Sequence, residues 1–300
     1  MSMKVAVISP ISLLDRYCTF TDYHLALAHL VLSSDIYRKF YQERKKAGDY
    51  VILDNSLIEL GHAMDLSSLM AAFTAIQPDE FVLPDVYMNR LATIEAVKKG
   101  VHEVRTLLKG STPKLMAVPQ GENAWAWIDC YQQLLEIEGI DVIGIPKNTD
   151  LICRYQDVKS VKDYPKISPH ARGYIGLDGR IQLTNYLEQN GLVSDAHEYH
   201  LLGCWSNPLE IRYQAEHTWI RGIDTSFQVL CGLLGIAFHD RDGILISRPE
   251  IPLDFHVAED DNFTSIVYHN IKCTLKWAGA TPPVRKSQEP QEPQEPQKVL

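Results

Sequence analysis

The chain alternates short apolar runs, rich in β-branched residues, with longer segments of helical periodicity, and this alternation constrains the fold more than any other feature. Each run is apolar on both faces, as in a parallel sheet that is covered on both sides. Seven runs are predicted strands: Lys4–Ser9, Tyr50–Asp54, Glu80–Leu83, Lys114–Val118, Asp141–Ile145, His200–Gly203 and Trp219–Ile223. The periodicity between them predicts helices over Asp22–Lys46, Asp65–Ile76, Arg90–Lys109, Glu122–Glu138 and Pro208–His217.

Repeated strand–helix units predict an α/β protein with a parallel sheet and helices outside it. Two arrangements fit, an open doubly wound sheet and a (β/α)8 TIM-type barrel. A dinucleotide-binding open sheet would place a glycine-rich turn after its first strand, but Ser9-Pro10-Ile11-Ser12 stands there. We therefore expect the barrel, with Arg172–Gly176 as its eighth strand.

The composition changes near Pro282 and predicts a domain boundary there. Residues 1–281 form the expected barrel catalytic domain. Residues 282–300 contain the repeat SQEPQEPQEPQ. Proline at every third position is typical of an extended, solvated polyproline II segment, so we expect a flexible tail.

The charge balance limits how the chain can bind nucleic acid. With 29 basic and 38 acidic residues the net charge is −9, which excludes a general positive field over the surface. Residues 154–180 nevertheless hold six basic and three acidic side chains. This excess predicts a local phosphate groove with Lys159, Lys162, Lys166 and Arg172 as contacts, and residues 38–46 are the next candidate. A solvated surface without a partner is the alternative reading of both stretches.

The six cysteines are scattered along the sequence, and we expect them to be reduced thiols. The sequence shows no signal-peptide pattern and no run long enough to span a membrane, so we expect a cytoplasmic chain without a membrane partner. The spacings exclude a zinc ribbon built from paired C-x-x-C units. A looser metal site from Cys231, His239, His256, His269 and Cys273 stays open as an alternative. Our expectation is that the protein holds no metal and no cofactor.

Polar residues follow the predicted strands at the end where a barrel carries its chemistry. The segments are Asp54-Asn55-Ser56, Pro84-Asp85, Gln120-Gly121, Gly144-Ile145-Pro146, Gly203-Cys204 and Ile223-Asp224. A single aspartate at such a position is often a helix N-cap. Three together indicate a pocket for a divalent metal or for glycosyl transfer, with one carboxylate as nucleophile and another as acid/base.

This ordered set of segments resembles the tRNA-guanine transglycosylase superfamily. The resemblance spans about residues 50–230, and Arg221-Gly222-Ile223-Asp224 is its most telling part. The short length is closest to phage-type members that insert 7-deazaguanines into DNA. The chain departs from the family at Asp54-Asn55-Ser56-Leu57, where Asp-Ser-Gly-Gly is common.

The resemblance implies a role for each matching residue. Asp224 would be the nucleophile that attacks the sugar C1′, and Asp54 the general acid/base. Asp85 would accept hydrogen bonds from the guanine N1–H and 2-amino group. The resemblance also implies Gln120 and Gly121 near O6 and Gly144 in the base pocket. Apart from the resemblance, Asn55, Tyr87 and Gly203 are further substrate-binding candidates; Tyr87 is an aromatic residue close to Asp85 that would stack on the base, with ordinary packing as the alternative.

The resemblance also implies the partners, which are a polynucleotide and a free 7-deazaguanine base. The Cys-x-Cys-x-x-Cys pattern of the family's zinc subdomain, which helps to present tRNA, is missing. We therefore expect DNA rather than tRNA as the polymer. The alternatives are a tRNA-guanine transglycosylase, a non-catalytic subunit that binds a base or nucleic acid, and a metal-dependent barrel lyase or hydrolase.

Overall fold

Eight parallel strands form the core of the protein. The computed structural model describes residues 2–108, 113–149, 178–204, 207–245, 249–257 and 264–282. The strands are β1 Lys4–Val7, β2 Tyr23–Leu27, β3 Tyr50–Asp54, β4 Glu80–Val82, β5 Lys114–Ala117, β6 Val142–Pro146, β7 Glu198–Leu202 and β8 Ile220–Thr225.

The sheet curls into a nearly closed barrel. Its strand order is β1-β8-β7-β6-β5-β4-β3-β2, and all neighbours pair in parallel. β1 and β2, at the two ends of this order, lie in contact and bring the sheet round on itself. The expected α/β barrel is therefore confirmed.

Helices lie between the strands in sequence and pack around the barrel. Asn89 and Asn123 each accept a hydrogen bond from a first-turn N–H group and fix where two of them begin. None of the helices in the described ranges combines the length and apolar character that crossing a membrane requires. The helices are α1 Leu14–Tyr17, α2 Ala28–Ser33, α3 Asp35–Lys46, α4 Leu57–Leu60, α5 Leu66–Ile76, α6 Arg90–Leu107, α7 Ala124–Leu135, α8 Asp178–Gln189, α9 Glu210–Gln214, α10 Phe227–Leu233 and α11 Thr264–Trp277.

The single helix expected over Asp22–Lys46 is wrong. Its first part is β2, and α2 and α3 are separate helices that meet at Ser34, whose hydroxyl caps α3. All five residues of β2 are buried, so its apolar pattern is as compatible with a helix stripe as with a strand. β2 thus completes the set of eight strands. Arg172–Gly176 lies outside the described residues.

Charged side chains fill the amino-terminal end of the barrel interior. Arg221 of β8 reaches across to Glu80 of β4, with 2.8 Å between Nη2 and Oε2, and to Glu198 of β7. Tyr50 of β3 donates to Glu80 at 2.6 Å. Contacts between strands on different sides of the barrel show that these side chains point inward. Glu80 is completely buried, so its charge depends on these partners.

A β-bulge allows β8 to place inward-pointing side chains at both ends of the barrel interior. Tyr199 pairs with Ile220 and His200 pairs with Gly222, so Arg221 has no counterpart in β7. In a regular strand, Arg221 and Asp224, three residues apart, would face opposite sides. The extra residue of the bulge shifts the alternation of side chains by one position. Both side chains therefore point into the barrel.

Replacing Arg221 with methionine should destabilise the fold strongly, because Glu80 would keep a buried charge without its cation. We expect the free energy of unfolding in urea to fall by about 3–5 kcal/mol. The matched control is Lys114→Met, which removes a cation that pairs with the partly exposed Glu198. That change should cost about 1 kcal/mol or less. Equal losses in the two variants would contradict this account.

Candidate active site

Polar side chains from several strands meet at the carboxyl-terminal mouth of the barrel. Asp54 ends β3, Asp85 and Gln120 follow β4 and β5, and Asp224 lies near the end of β8. Asp54 lies close enough to Asp85 and Asp224 for both carboxylates to act on its ionisation. The structure therefore brings together the three aspartates that the sequence singled out.

The carboxylate of Asp224 is held by two hydrogen bonds inside the barrel. His200 Nε2 lies 3.0 Å from Oδ1, and the Gly203 N–H donates to Oδ2 at 3.2 Å. Tyr23 Oη lies 2.9 Å from His200 Nδ1. These contacts fit an imidazole that carries its proton on Nε2 and accepts from the tyrosine. Asp224 is thus fixed in orientation by one side-chain contact and one backbone contact.

His200 and Tyr23 are parts of the site that our sequence analysis missed. Both are completely or almost completely buried, and they lie 177 residues apart in the chain. A histidine at the start of an otherwise apolar predicted strand was the available signal for His200, because a buried imidazole needs hydrogen-bond partners.

A buried arginine fixes the turn that carries Gly203. Arg180, from α8, donates to the carbonyl oxygens of Ile145 and Leu202 at 3.0 Å each, and to that of Gly203 at 2.6 Å. Its Nε lies 2.6 Å from Glu210 Oε1, so the buried charge is paired. These bonds hold the ends of β6 and β7 together and position the N–H that meets Asp224.

Asp54 occupies a site that favours its protonated form. Desolvation raises the pKa of Asp54 well above its ordinary value, and the carboxylates of Glu59 and Asp224 raise it further. The Ser56 N–H donates to Oδ2 at 2.7 Å and partly opposes this effect. Ser56 has a left-handed backbone, with φ of 62°, which is uncommon for a residue other than glycine. The turn thus aims a backbone donor at Asp54.

Amide side chains surround Asp85. Asn55 Nδ2 donates to Oδ1 at 2.7 Å, and Gln120 Nε2 donates to Oδ2 at 2.6 Å. The Gln120 Oε1 accepts from Asn148 Nδ2 at 3.1 Å and from the Met88 N–H at 3.2 Å. These bonds fix the orientation of both amides. Desolvation raises the pKa of Asp85 to about 6, although the two amide donors favour the carboxylate.

Asn148 is a third residue that the sequence analysis missed. It is buried two residues beyond the end of β6, and its Oδ1 has no hydrogen-bond partner in the described part of the chain. Its place after a strand end is the same signal that identified Gln120.

Packing explains the two expected pocket glycines, Gly121 and Gly144. A Cβ on Gly121 would lie 2.3 Å from the backbone nitrogen of Trp127. One on Gly144 would lie 2.8 Å from Met116 Sδ, inside the barrel. Both glycines are buried, so close approach of neighbouring elements accounts for them.

A cavity of about 540 Å³ opens beside Asp85, between the segments that follow β3 and β4 and the α6 residues Ala96, Lys99, Gly100 and Glu103. Asp85 is the one aspartate of the mouth among its lining residues. Its wall includes the apolar side chains of Leu57, Met64 and Pro84, together with Tyr87. This volume lies within the range of about 300–1,000 Å³ that is usual for ligand sites. Tyr87 is 43% exposed and its ring is accessible for stacking.

The remaining sequence-based candidates are the basic stretch and the cysteine–histidine set. Lys159, Lys162, Lys166 and Arg172 lie outside the described residues. Of the possible cysteine–histidine metal site, His269 Nε2 lies 2.8 Å from the Phe238 carbonyl oxygen and 3.6 Å from Cys273 Sγ. Within the described ranges, no three histidine, cysteine, aspartate or glutamate side chains are grouped so that they could hold a metal ion.

Sequence comparisons with known proteins do not assign a function to this site. No family model matches the sequence, and no curated protein is significantly similar to it.

Replacing Asp85 with asparagine should change how stability depends on pH. The folded-state pKa of about 6 lies above the unfolded value of about 3.9, so Asp85 stabilises the fold fully below pH 4 and this contribution is lost as pH rises through 6. We expect the unfolding free energy of the wild type to fall by up to about 3 kcal/mol relative to Asp85→Asn over this interval. Denaturant unfolding at several pH values measures it, and parallel curves would refute it.

Proposed function

We propose that the protein is a transglycosylase that exchanges guanine in a polynucleotide, with DNA favoured, for a 7-deazaguanine base. The reaction would pass through a covalent aspartyl–sugar intermediate. The observation that carries this proposal is the pair of unlike carboxyl groups at one mouth: Asp224, oriented by a histidine and a backbone N–H, and Asp54, which favours its protonated form. Covalent glycosyl transfer needs one carboxylate nucleophile and one carboxylic acid.

In the first step, a carboxylate oxygen of Asp224 attacks C1′ of the target nucleotide. The bond between C1′ and N9 breaks, its electron pair leaves with the guanine, and Asp54 donates a proton to the departing base. The hydrogen bonds from His200 and Gly203 support this role, because they hold the carboxylate while leaving it lone pairs for attack.

In the second step, the incoming 7-deazaguanine loses its N9 proton to the Asp54 carboxylate. N9 then attacks C1′, and the bond between C1′ and the Asp224 oxygen breaks. Two displacements at one carbon retain its configuration. Desolvation contributes most to the raised pKa of Asp54, and the carboxylates of Glu59 and Asp224 add to it, so Asp54 favours the protonated form that the first step requires.

The amide cluster around Asp85 supports recognition of guanine. Each oxygen of Asp85 accepts one amide hydrogen bond and keeps a lone pair for the N1–H and 2-amino donors of the base. A target guanine must leave its stack before Asp224 can reach C1′, which costs a few kcal/mol. Tyr87, exposed beside Asp85, would offset part of this cost by stacking.

Replacing Asp224 with asparagine should abolish the covalent intermediate. We expect wild-type protein, incubated with guanine-containing DNA, to form an adduct that survives denaturing electrophoresis. The Asp224→Asn variant should form none, and it should incorporate no labelled guanine. The control Asp129→Asn removes a partly exposed carboxylate of α7 that pairs with Arg90, and it should retain the adduct.

Two outcomes would contradict this function. A folded wild-type protein that incorporates labelled guanine into neither DNA nor tRNA, while still binding guanine or polynucleotide, would favour the non-catalytic binding subunit. Activity that is lost with a chelator and recovered with a divalent metal would favour a metal-dependent barrel enzyme.

DNA should be the better polymer in side-by-side incorporation assays with labelled guanine. We base this expectation on the sequence, which lacks the zinc-subdomain cysteine pattern associated with tRNA. Matched amounts of guanine-containing DNA and of total tRNA, assayed with the same protein, test it. Labelling confined to tRNA would support the tRNA-guanine alternative instead.

A further inference from the structure

The carboxyl groups at the mouth are unfavourable neighbours for the phosphate groups of the proposed polynucleotide substrate. Asp54, Glu59, Asp85 and Asp224 all lie at or near it. A polynucleotide must bring C1′ of one nucleotide to Asp224, and the phosphates of that nucleotide are only a few bonds away. Unscreened like charges at such separations repel strongly in a partly dehydrated site. A cation close to Asp224 would offset this repulsion.

Lys147 brings a cation to this position. It follows the last residue of β6, and its backbone N–H donates to the Leu202 carbonyl at 2.9 Å. Its stem lies over Gly203, since a Cβ built there would be 2.8 Å from Lys147 Cδ. The N–H of the same glycine donates to Asp224. The lysine stem therefore runs beside the residue that holds the nucleophile.

The charged end of Lys147 acts across the mouth. Desolvation raises the pKa of Glu59, which follows β3, and the charge of Lys147 opposes that rise. Lys147 follows β6, three strands away in the sheet order. The charge of Lys147 therefore influences a carboxyl group that follows a strand on another side of the mouth.

We propose that Lys147 binds the phosphodiester group of the nucleotide whose base is exchanged. A lysine ammonium suits this task, because it is a compact charge with three donors on a flexible stem and does not require one fixed geometry. In the complex, the ammonium would contact a phosphate oxygen of that nucleotide. Gly203 has a left-handed backbone with φ of 68°, which favours glycine, and a side chain there would also meet the lysine stem. The inference rests on the transglycosylase function proposed above.

The test compares Lys147→Gln with the charge-retaining Lys147→Arg, and with Lys98→Gln on the exposed surface of α6 as the matched control. Binding of a fluorescein-labelled, guanine-containing oligonucleotide is followed by anisotropy over a range of salt concentrations, and binding of free guanine by calorimetry. Lys147→Gln should weaken oligonucleotide binding about five- to tenfold at low salt. Its log–log salt slope should be shallower by about 0.7–0.9, the loss of one phosphate contact.

The other variants should distinguish the loss of one phosphate contact from a general effect of the substitution on folding or net charge. Lys147→Arg and Lys98→Gln should keep the wild-type slope, and all three should bind guanine as the wild type does. Glu59→Gln, which removes a competing carboxylate, should tighten oligonucleotide binding, and it keeps the test decisive if Lys147→Gln does not fold.

An unchanged affinity and slope in Lys147→Gln would overturn the inference. So would a shifted pH profile of base exchange at unchanged oligonucleotide affinity, which would show that Lys147 acts on the carboxyl groups instead. Failure of the transglycosylase proposal is a distinct result, because the wild-type protein would then form no covalent adduct whatever the salt slopes show.

Discussion

The extra residue in β8 is the constraint on which both ends of the barrel depend. Because Arg221 has no counterpart in β7, the strand turns both Arg221 and Asp224 inward although they are three residues apart. Arg221 then neutralises the buried Glu80 at the amino-terminal end, and Asp224 joins the polar mouth at the other end. Gly222 permits this geometry, since a Cβ there would lie 2.9 Å from the Tyr23 ring. Stability and chemistry are thus linked through one short segment.

Burial and hydrogen bonding give the carboxyl groups of the mouth different properties. Asp224 is held by His200 and by a backbone N–H, whereas desolvation makes Asp54 favour its proton. Asp85 lies in a third environment, where amide donors keep its pKa near the neutral range despite burial. Three aspartates that look alike in sequence therefore lie in three different environments, as the proposed roles in attack, proton transfer and base recognition require.

The sequence was sufficient for the local features and insufficient for the long-range ones. Short apolar runs predicted seven strands, and the residues after them predicted where Asp54, Asp85, Gln120 and Asp224 would meet. β2 was missed because a strand buried on both faces and followed directly by a helix has no distinguishing period.

Contacts between distant residues could not be read from local patterns. Tyr23 and His200 meet across the barrel, and the β8 bulge depends on the register of β7 against β8. Lys147 acquires its place only when β6 and β7 are paired, because its stem packs over Gly203.

A crystal structure of the protein soaked with guanine tests the central claim most directly. The account predicts guanine at the barrel mouth, with its N1–H and 2-amino group within hydrogen-bonding distance of Asp85 and its N9 directed towards Asp54 and Asp224. Guanine bound away from these carboxyl groups, or a divalent metal ion coordinated by Asp54 and Asp224 in its place, would contradict the account.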